Sequence, residues 1–431
     1  METPEYKTHL ENCKLKTSMR AITFICCLLL LTLSCSEPSG GESLLTPQQM
    51  RDDVLFVFNI IGRTHPNPYQ VLNSKQYGRL KRKILNRVKK PMNVYDFWVT
   101  LAQIHPFIDA HTGIDPPQDI AHYLNTTQWA YFPPGAFLIR GDSLYFGVID
   151  GIPDSLKHKQ ILKINRKPTN KIIHNVAKYI SHESLINLTN ILEMWGFSIL
   201  YPLLYQRPQP LNIKYADEES IKEVQLNSSD FLNWITTYRK VPYMFRYNRA
   251  EKMALFELNT FTGNLAAYNK EIGNAIDSLR SYDIQNLFID ISCNGGGSDE
   301  YSFLLLNFLL LPEQDISKYQ NNAYLIQSNY TFSAAVTVSD HFKYFNIGPI
   351  IGEETGGLTA CYIDSKIELL PNSKLKLRCA TKKTVIMSGG KWDGRGVLPD
   401  IAYPLRETCR YKSFTWEELN DMLSLVNNSI E

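Results

Sequence analysis

Four short apolar runs, Met253–Leu258, Asn286–Ile291, Ala323–Gln327 and Pro349–Gly352, constrain the chain most, because the first three are each followed by a pattern of helical period. A run apolar at nearly every position must be covered on both faces, and strand–helix alternation supplies that cover from helices packed on a parallel sheet. The C-terminal half is therefore predicted to be an α/β unit. At 431 residues the chain can hold two or three domains and a large core. Its 45 Lys+Arg against 43 Asp+Glu leave a net +2, which excludes a nucleic-acid binder held by bulk charge and an acidic solvating chain. With 44% apolar and 20% charged residues it is not a disordered protein.

Residues 44–110 read as helical. Thr46-Pro47-Gln48-Gln49 is a capping box with proline at the first helical position, and Met50, Val54, Val57 and Ile61 recur behind it until Gly62 and His65-Pro66. A second helix turns Tyr77, Leu80, Ile84 and Val88 inward and leaves Arg79, Lys81, Arg82, Lys83, Arg87, Lys89 and Lys90 outside. The functional reading of such a face is contact with an anionic membrane or nucleic acid, but a solvated helix face is favoured, because such runs are common and no aromatic residues interleave it for stacking. A third helix, about Asn93 to Ile108, ends in Asp109-Ala110-His111-Thr112-Gly113. From Trp129 to Thr237 short strands, turns and helices mix, with strands at Leu144–Ile149 and around Ile161–Asn165. Cys361 to Met387 alternates like a hairpin about Pro371-Asn372-Ser373, and a capping box of Thr415 and Glu418 with a Phe414–Leu419 staple opens a closing helix.

Near the start, Ala21 to Leu33 is an apolar stretch of 13 residues behind Arg20 and before Ser34-Cys35. It is short for a bilayer span of about 20 residues but has the parts of a secretory signal. Its Leu33-Ser34-Cys35 ending resembles the lipobox of bacterial lipoproteins, in which the cysteine becomes the lipidated first residue. The expected layout is a leader over 1–34, with translation starting at Met19, and a tether over 35–43 behind a lipidated Cys35. The cell envelope follows as the expected location. Of eight cysteines, Cys293, Cys361, Cys379 and Cys409 then remain besides the anchor. No C-x-x-C pair is left for a zinc ribbon or redox site. Cys361–Cys379 is a candidate disulfide, with unpaired buried thiols as the alternative.

Two strand-to-helix loops carry the candidate chemistry. Asp290-Ile291-Ser292-Cys293-Asn294-Gly295-Gly296-Gly297 can turn backbone N–H groups toward an anion at the start of a helix, or can simply be a flexible turn. Ser328-Asn329-Tyr330-Thr331-Phe332-Ser333-Ala334-Ala335 places Ser333 at a helix N-terminus, as a plain cap or as a nucleophile with the Ala334 N–H beside it. In a parallel sheet both loops lie at the strands' carboxyl ends, where ligands bind. A serine nucleophile needs a base. His65 and His105 precede prolines and suit structural roles, and His341 faces away from the helix start. His111 is the best candidate, but only a fold can bring it to Ser333. No phosphate loop, metal-binding histidine pair or G-x-S-x-G elbow occurs.

The ordered set D-A-H-T-G, F-I-D-I-S-C-N-G-G-G, T-F-S-A-A, I-I-G-E-E-T-G-G and G-R-G-V-L-P-D resembles the C-terminal processing (tail-specific) serine peptidase family, most of all its tricorn-core-like branch. The resemblance implies an α/β fold: a ClpP/crotonase-like parallel-sheet catalytic core over 245–431, an N-terminal helical domain over 44–128 carrying His111, and a degenerate PDZ-like segment over 129–244. It implies a serine peptidase without cofactor or metal, acting on a peptide or protein, with no nucleic-acid partner. Ser333 would be the nucleophile and His111 the general base, with Asp393 orienting the imidazole and N–H groups of Gly295, Gly296 and Ala334 as the oxyanion hole. Leu358 stands where the tail-specific branch carries a lysine base, which points away from a Ser–Lys dyad. Ala110 and Asp393 depart from the commoner serine or glycine and the longer glutamate. Those departures motivate an alternative, a non-catalytic ligand- or peptide-binding lipoprotein on the same fold.

Overall fold

The computed structural model describes residues 44–430 except 128, 131, 150–151, 228–240, 311–321, 392 and 406–411. The leader, Met19, Cys35, the tether and Cys409 lie outside the described residues. Among the described residues no helix is long and apolar enough to cross a membrane.

The C-terminal half is built on a six-stranded sheet in the order Ile401–Ala402, Ile350–Gly352, Ala323–Gln327, Asn286–Asp290, Met253–Leu258, Tyr243–Asn248. All neighbours are parallel except the last pair. Side chains of a strand alternate between faces, so each apolar run feeds two cores. Ala254, Phe256, Leu258, Leu287, Ile289 and Leu325 pack under the helices Leu265–Ser281, Asp299–Leu310 and Ala334–Tyr344. Met253, Leu255, Phe288, Tyr324 and Ile326 pack on the other face against Phe414, Leu419, Met422 and Val426 of the closing segment. The Thr415–Glu418 capping box forms, with the Thr415 N–H donating to Glu418 at 2.7 Å. This mixed α/β architecture is the predicted one.

The N-terminal helices Pro47–Thr64, Ser74–Leu85 and Val94–Leu101 start at side-chain caps, Thr46, Asn73 and Asn93. The third is shorter than its pattern predicts. It gives way at Ala102 to a 3-10 turn running to Phe107, which contains Pro106, a residue with no N–H for an α-helical bond. Between the two halves, six strands in 137–226 form an antiparallel sheet.

The C-terminal hairpin joins the halves. Lys366–Leu369 pairs with Lys376–Cys379, and Gly113–Ile114 adds to the far side of Lys376–Cys379 with Gly113 opposite Arg378. Asp53 fixes the hairpin's tip to the first helix, accepting N–H bonds from Asn372 (2.9 Å) and Ser373 (2.8 Å). The candidate disulfide is not made. Cys361 faces Thr384 and Cys379 faces Lys366 in separate strand pairs, and both thiols are free. Burial pushes the Cys379 thiol up to about 12 and raises Cys361 as well, so both stay protonated and unreactive.

His105 locks the segment that leads to His111. Its Nδ1–H donates to the Tyr179 carbonyl at 2.9 Å, and its Nε2 accepts the Ile114 N–H at 2.9 Å. Burial pushes its pKa down to about 4, while an unfolded histidine titrates near ~6.5. Protonation therefore favours the unfolded chain: the contribution is complete above ~6.5 and is lost as pH falls toward 4. Urea midpoints taken between those limits should fall with pH, and His105→Gln should flatten that dependence by about 3 kcal/mol of the acid loss. An unchanged pH slope in the variant would refute this role.

Candidate active site

The strands Asn286–Asp290 and Ala323–Gln327 are parallel neighbours, so the loops leaving their carboxyl ends lie side by side. Hydrogen bonds lace them. The Phe332 N–H donates to the Asn294 carbonyl at 3.0 Å, Thr331 Oγ1 to the Ile291 carbonyl at 3.0 Å, and Ser328 Oγ to the Ser292 carbonyl. Gly296, at φ +91°, fits against the serine loop because it lacks a side chain. A Cβ there would stand 2.6 Å from Ser333 Cβ and 2.9 Å from the Ala334 nitrogen.

Ser333 does not act as a cap. Its side chain makes no capping bond, and its backbone holds φ 52°, ψ −127°, a conformation that L-residues seldom adopt and that costs about 1–3 kcal/mol. The strain has a result: Oγ is turned out of the helix start and toward His111. The Nε2 of His111 lies 3.2 Å from Ser333 Oγ, although 222 residues separate them.

His111 is held from several sides. Its N–H donates to Asp109 Oδ1 at 2.8 Å, its carbonyl accepts from Ser365 Oγ at 2.6 Å, and its ring stacks on Phe332 with centroids 5.0 Å apart. His65 Nδ1 accepts the Asn67 N–H, so Nε2–H is left to donate to Asp109 Oδ2 at 2.8 Å. His65 is thus a structural support of the His111 loop.

The carboxylate on the imidazole is Glu183, whose Oε1 is 2.8 Å from His111 Nδ1. An ionised carboxylate only accepts, so Nδ1 carries the proton and Nε2 is free to accept from the serine hydroxyl. Glu183 precedes Ser184, the cap of the short helix Leu185–Ile191, and its own N–H is anchored to Asn187 Oδ1 at 3.2 Å. Both His111 and Glu183 are buried, and Glu183 Oε2 has no hydrogen-bond partner among the described residues. Burial by itself would lower the His111 pKa. The Glu183 charge and hydrogen bond, with Asp109 behind, outweigh that and raise it above its ordinary value.

Asp393 is not at the site. It is exposed, its Oδ1 accepts the Arg395 N–H at 3.1 Å, and Arg395 in turn pairs with Glu354. The turn spanning 393–395 is closed on itself and faces solvent, which leaves this carboxylate no path to the imidazole. Nothing in the sequence marks Glu183: a glutamate before a helix-capping serine is an ordinary local pattern, and its partner lies 72 residues away.

Of the three expected oxyanion donors, Gly296 is engaged, its N–H donating to Asn294 Oδ1 at 2.8 Å. The N–H groups of Gly295 and Ala334 make no hydrogen bond to described residues. Among the described residues one group has the make-up of a metal site, Asp109, His111 and Glu183, with ligand atoms within 4.8 Å of one another. The 2.8 Å between His111 Nδ1 and Glu183 Oε1 is shorter than the ~3.3 Å between tetrahedral ligands held at ~2.0 Å from one ion. A hydroxyl, an imidazole and a carboxylate in this order can generate an alkoxide-like nucleophile without a metal.

The architecture has counterparts among solved structures. No family model matches the chain, and no curated protein does. Among solved structures, mature CPAF is similar in fold, with a TM-score of 0.55 over 89% of this chain and 98% of that one, at 12% identity. A serine-to-alanine CPAF mutant gives 0.56 at 11% identity, covering 89% of this chain and 98% of that one. The photosystem II D1 C-terminal processing protease covers 84% of this chain and 96% of its own at a TM-score of 0.49 and 13% identity.

Proposed function

We propose that the protein is a serine peptidase that cuts peptide bonds through an acyl-enzyme on Ser333. The observation that carries this is the 3.2 Å approach of His111 Nε2 to Ser333 Oγ, with Glu183 at Nδ1. Ser333 Oγ attacks the scissile carbonyl as His111 Nε2 takes its proton. The imidazolium is held by Glu183 and returns the proton to the leaving amine; water then hydrolyses the ester with His111 again as base. The oxyanion is received by the Ala334 N–H and by an N–H of the glycine loop, Gly295 being the predicted donor whose N–H is not already taken. Strain at Ser333 and burial of the His–Glu pair support catalysis over the binding alternative, since a binding protein has no need of either.

We further propose that the enzyme acts on peptides or proteins and is held in the cell envelope by lipid on Cys35. The support is the apolar stretch over 21–33 and its Leu-Ser-Cys ending.

A fluorophosphonate probe should label the wild-type chain on Ser333, and Ser333→Ala should abolish the label while circular dichroism shows an intact fold. Folded wild-type protein that takes up no probe would overturn the assignment.

A further inference from the structure

The near-neutral chain conceals a strongly asymmetric segment. Residues 54–95 contain nine Lys and Arg and no Asp or Glu. The inward side of the helix Ser74–Leu85 is buried through Tyr77, Leu80 and Ile84, which fixes the direction in which its cations point. Arg79, Arg82, Lys83, Arg87, Lys89 and Lys90 are exposed and Lys81 is half-buried. None of them forms an ion pair or side-chain hydrogen bond with a described residue, whereas exposed lysines elsewhere, such as Lys214, Lys222 and Lys382, do. Seven like charges gathered without counter-ions repel one another, and an anionic surface would relieve that repulsion.

The fold also fixes where this face sits relative to the chain's first residues. Leu45 pairs with Met92 in an antiparallel bridge, its N–H donating to the Met92 carbonyl at 2.8 Å and its carbonyl accepting at 3.2 Å. The chain therefore joins the body two residues from Lys89-Lys90. From Cys35 to Leu44 an extended chain reaches at most roughly 30 Å, and a relaxed polar tether spans about half of that. A lipid on Cys35 would hold this basic face next to the bilayer.

We propose that the Arg79–Lys90 face is a docking surface for a bilayer rich in anionic phospholipid headgroups. Beside a lipid anchor, a polybasic patch adds attraction to anionic headgroups and so orients the anchored chain with this face on the bilayer. The inference takes its geometry from the anchor reading and is independent of the peptidase reading.

The test uses the chain from Ser36 onward, which keeps every described residue and has neither lipid nor apolar leader. It should co-sediment with vesicles containing roughly a third anionic phospholipid and not with purely zwitterionic vesicles. Raising salt from roughly 0.05 to 0.5 M should release it, because these charges are solvent-exposed. Combining Lys81→Glu, Lys83→Glu, Arg87→Glu and Lys89→Glu should weaken the partition at least about tenfold, and the same four sites changed to Gln should weaken it less. Equal binding to zwitterionic vesicles, full binding by the charge-reversed chain, or displacement from vesicles by an equal charge of duplex DNA would each overturn the proposal. The last result would assign the face to nucleic acid. Radiolabelled palmitate incorporation at Cys35 tests the anchor separately, so the two failures are distinguishable.

Discussion

Ser333→Ala is expected to lower kcat on a fluorescently labelled unfolded protein by on the order of 10^5 to 10^6, with KM little changed. The alanine removes the hydroxyl proposed to attack and leaves the backbone N–H groups proposed as oxyanion donors in place. His111→Ala should cost about the same, because without a base at 3.2 Å the hydroxyl is an ordinary alcohol. The double variant should be no worse than either single one, since the two groups act as a unit. Residual turnover of about 10^3 over water, from binding and the oxyanion site, is expected in all three. Additive losses in the double variant would mean that serine and histidine act independently, and the proposed acyl-enzyme mechanism would fail.

Glu183→Gln should lower kcat by roughly 10^3 to 10^4, although the side chain keeps its size and an oxygen for His111 Nδ1. What is lost is a negative charge facing the imidazolium in a buried site, where opposite charges interact strongly. The pH profile separates this from simple misplacement. Glu183 raises the His111 pKa, and the base works only when neutral, so wild-type kcat/KM should fall as pH drops through a value above the ordinary histidine range. Removing the charge must move that inflection to lower pH. Asp393→Asn should change neither rate nor profile, because Asp393 serves only its own solvent-facing turn. A downward shift with Asp393→Asn and none with Glu183→Gln would exchange the roles of the two acids.

The cost of the buried, half-satisfied Glu183 is offset by its pairing with His111. A carboxylate oxygen without a partner in the interior costs free energy that a purely structural residue would avoid. The strained Ser333 backbone is a second such cost, and the two are met at opposite ends of one imidazole. Their surroundings hold them. Gly296 and Phe332 close around the serine, while Asp109, His65 and Ser365 fix the histidine loop.

Signals that are local in the chain were legible from sequence. Apolar runs of strand length, glycines before a helix and the Thr46 and Thr415 caps each act within a few residues, so they specify the parallel sheet, the two active loops and the helix starts. The 3-10 turn at 102–107 and the shortened third helix illustrate how one proline alters a pattern of correct period. Whether Cys361 and Cys379 pair was not legible, because it depends on which strands of the hairpin region face each other, and the two lie in separate strand pairs.

The sequence by itself determined the α/β core, the loop that presents Ser333, and His111 as the histidine best suited to serve it. These follow from period, turn chemistry and side-chain type, which the residues carry wherever they lie. The tertiary structure alone decided that His111 reaches Ser333, by setting Gly113–Ile114 against Lys376–Cys379, and that the acid is Glu183 rather than Asp393. It also decided that the chain enters beside its most basic face. All three are contacts between segments distant in sequence. Their formation depends on how whole elements pack, a property that no local stretch of the chain encodes.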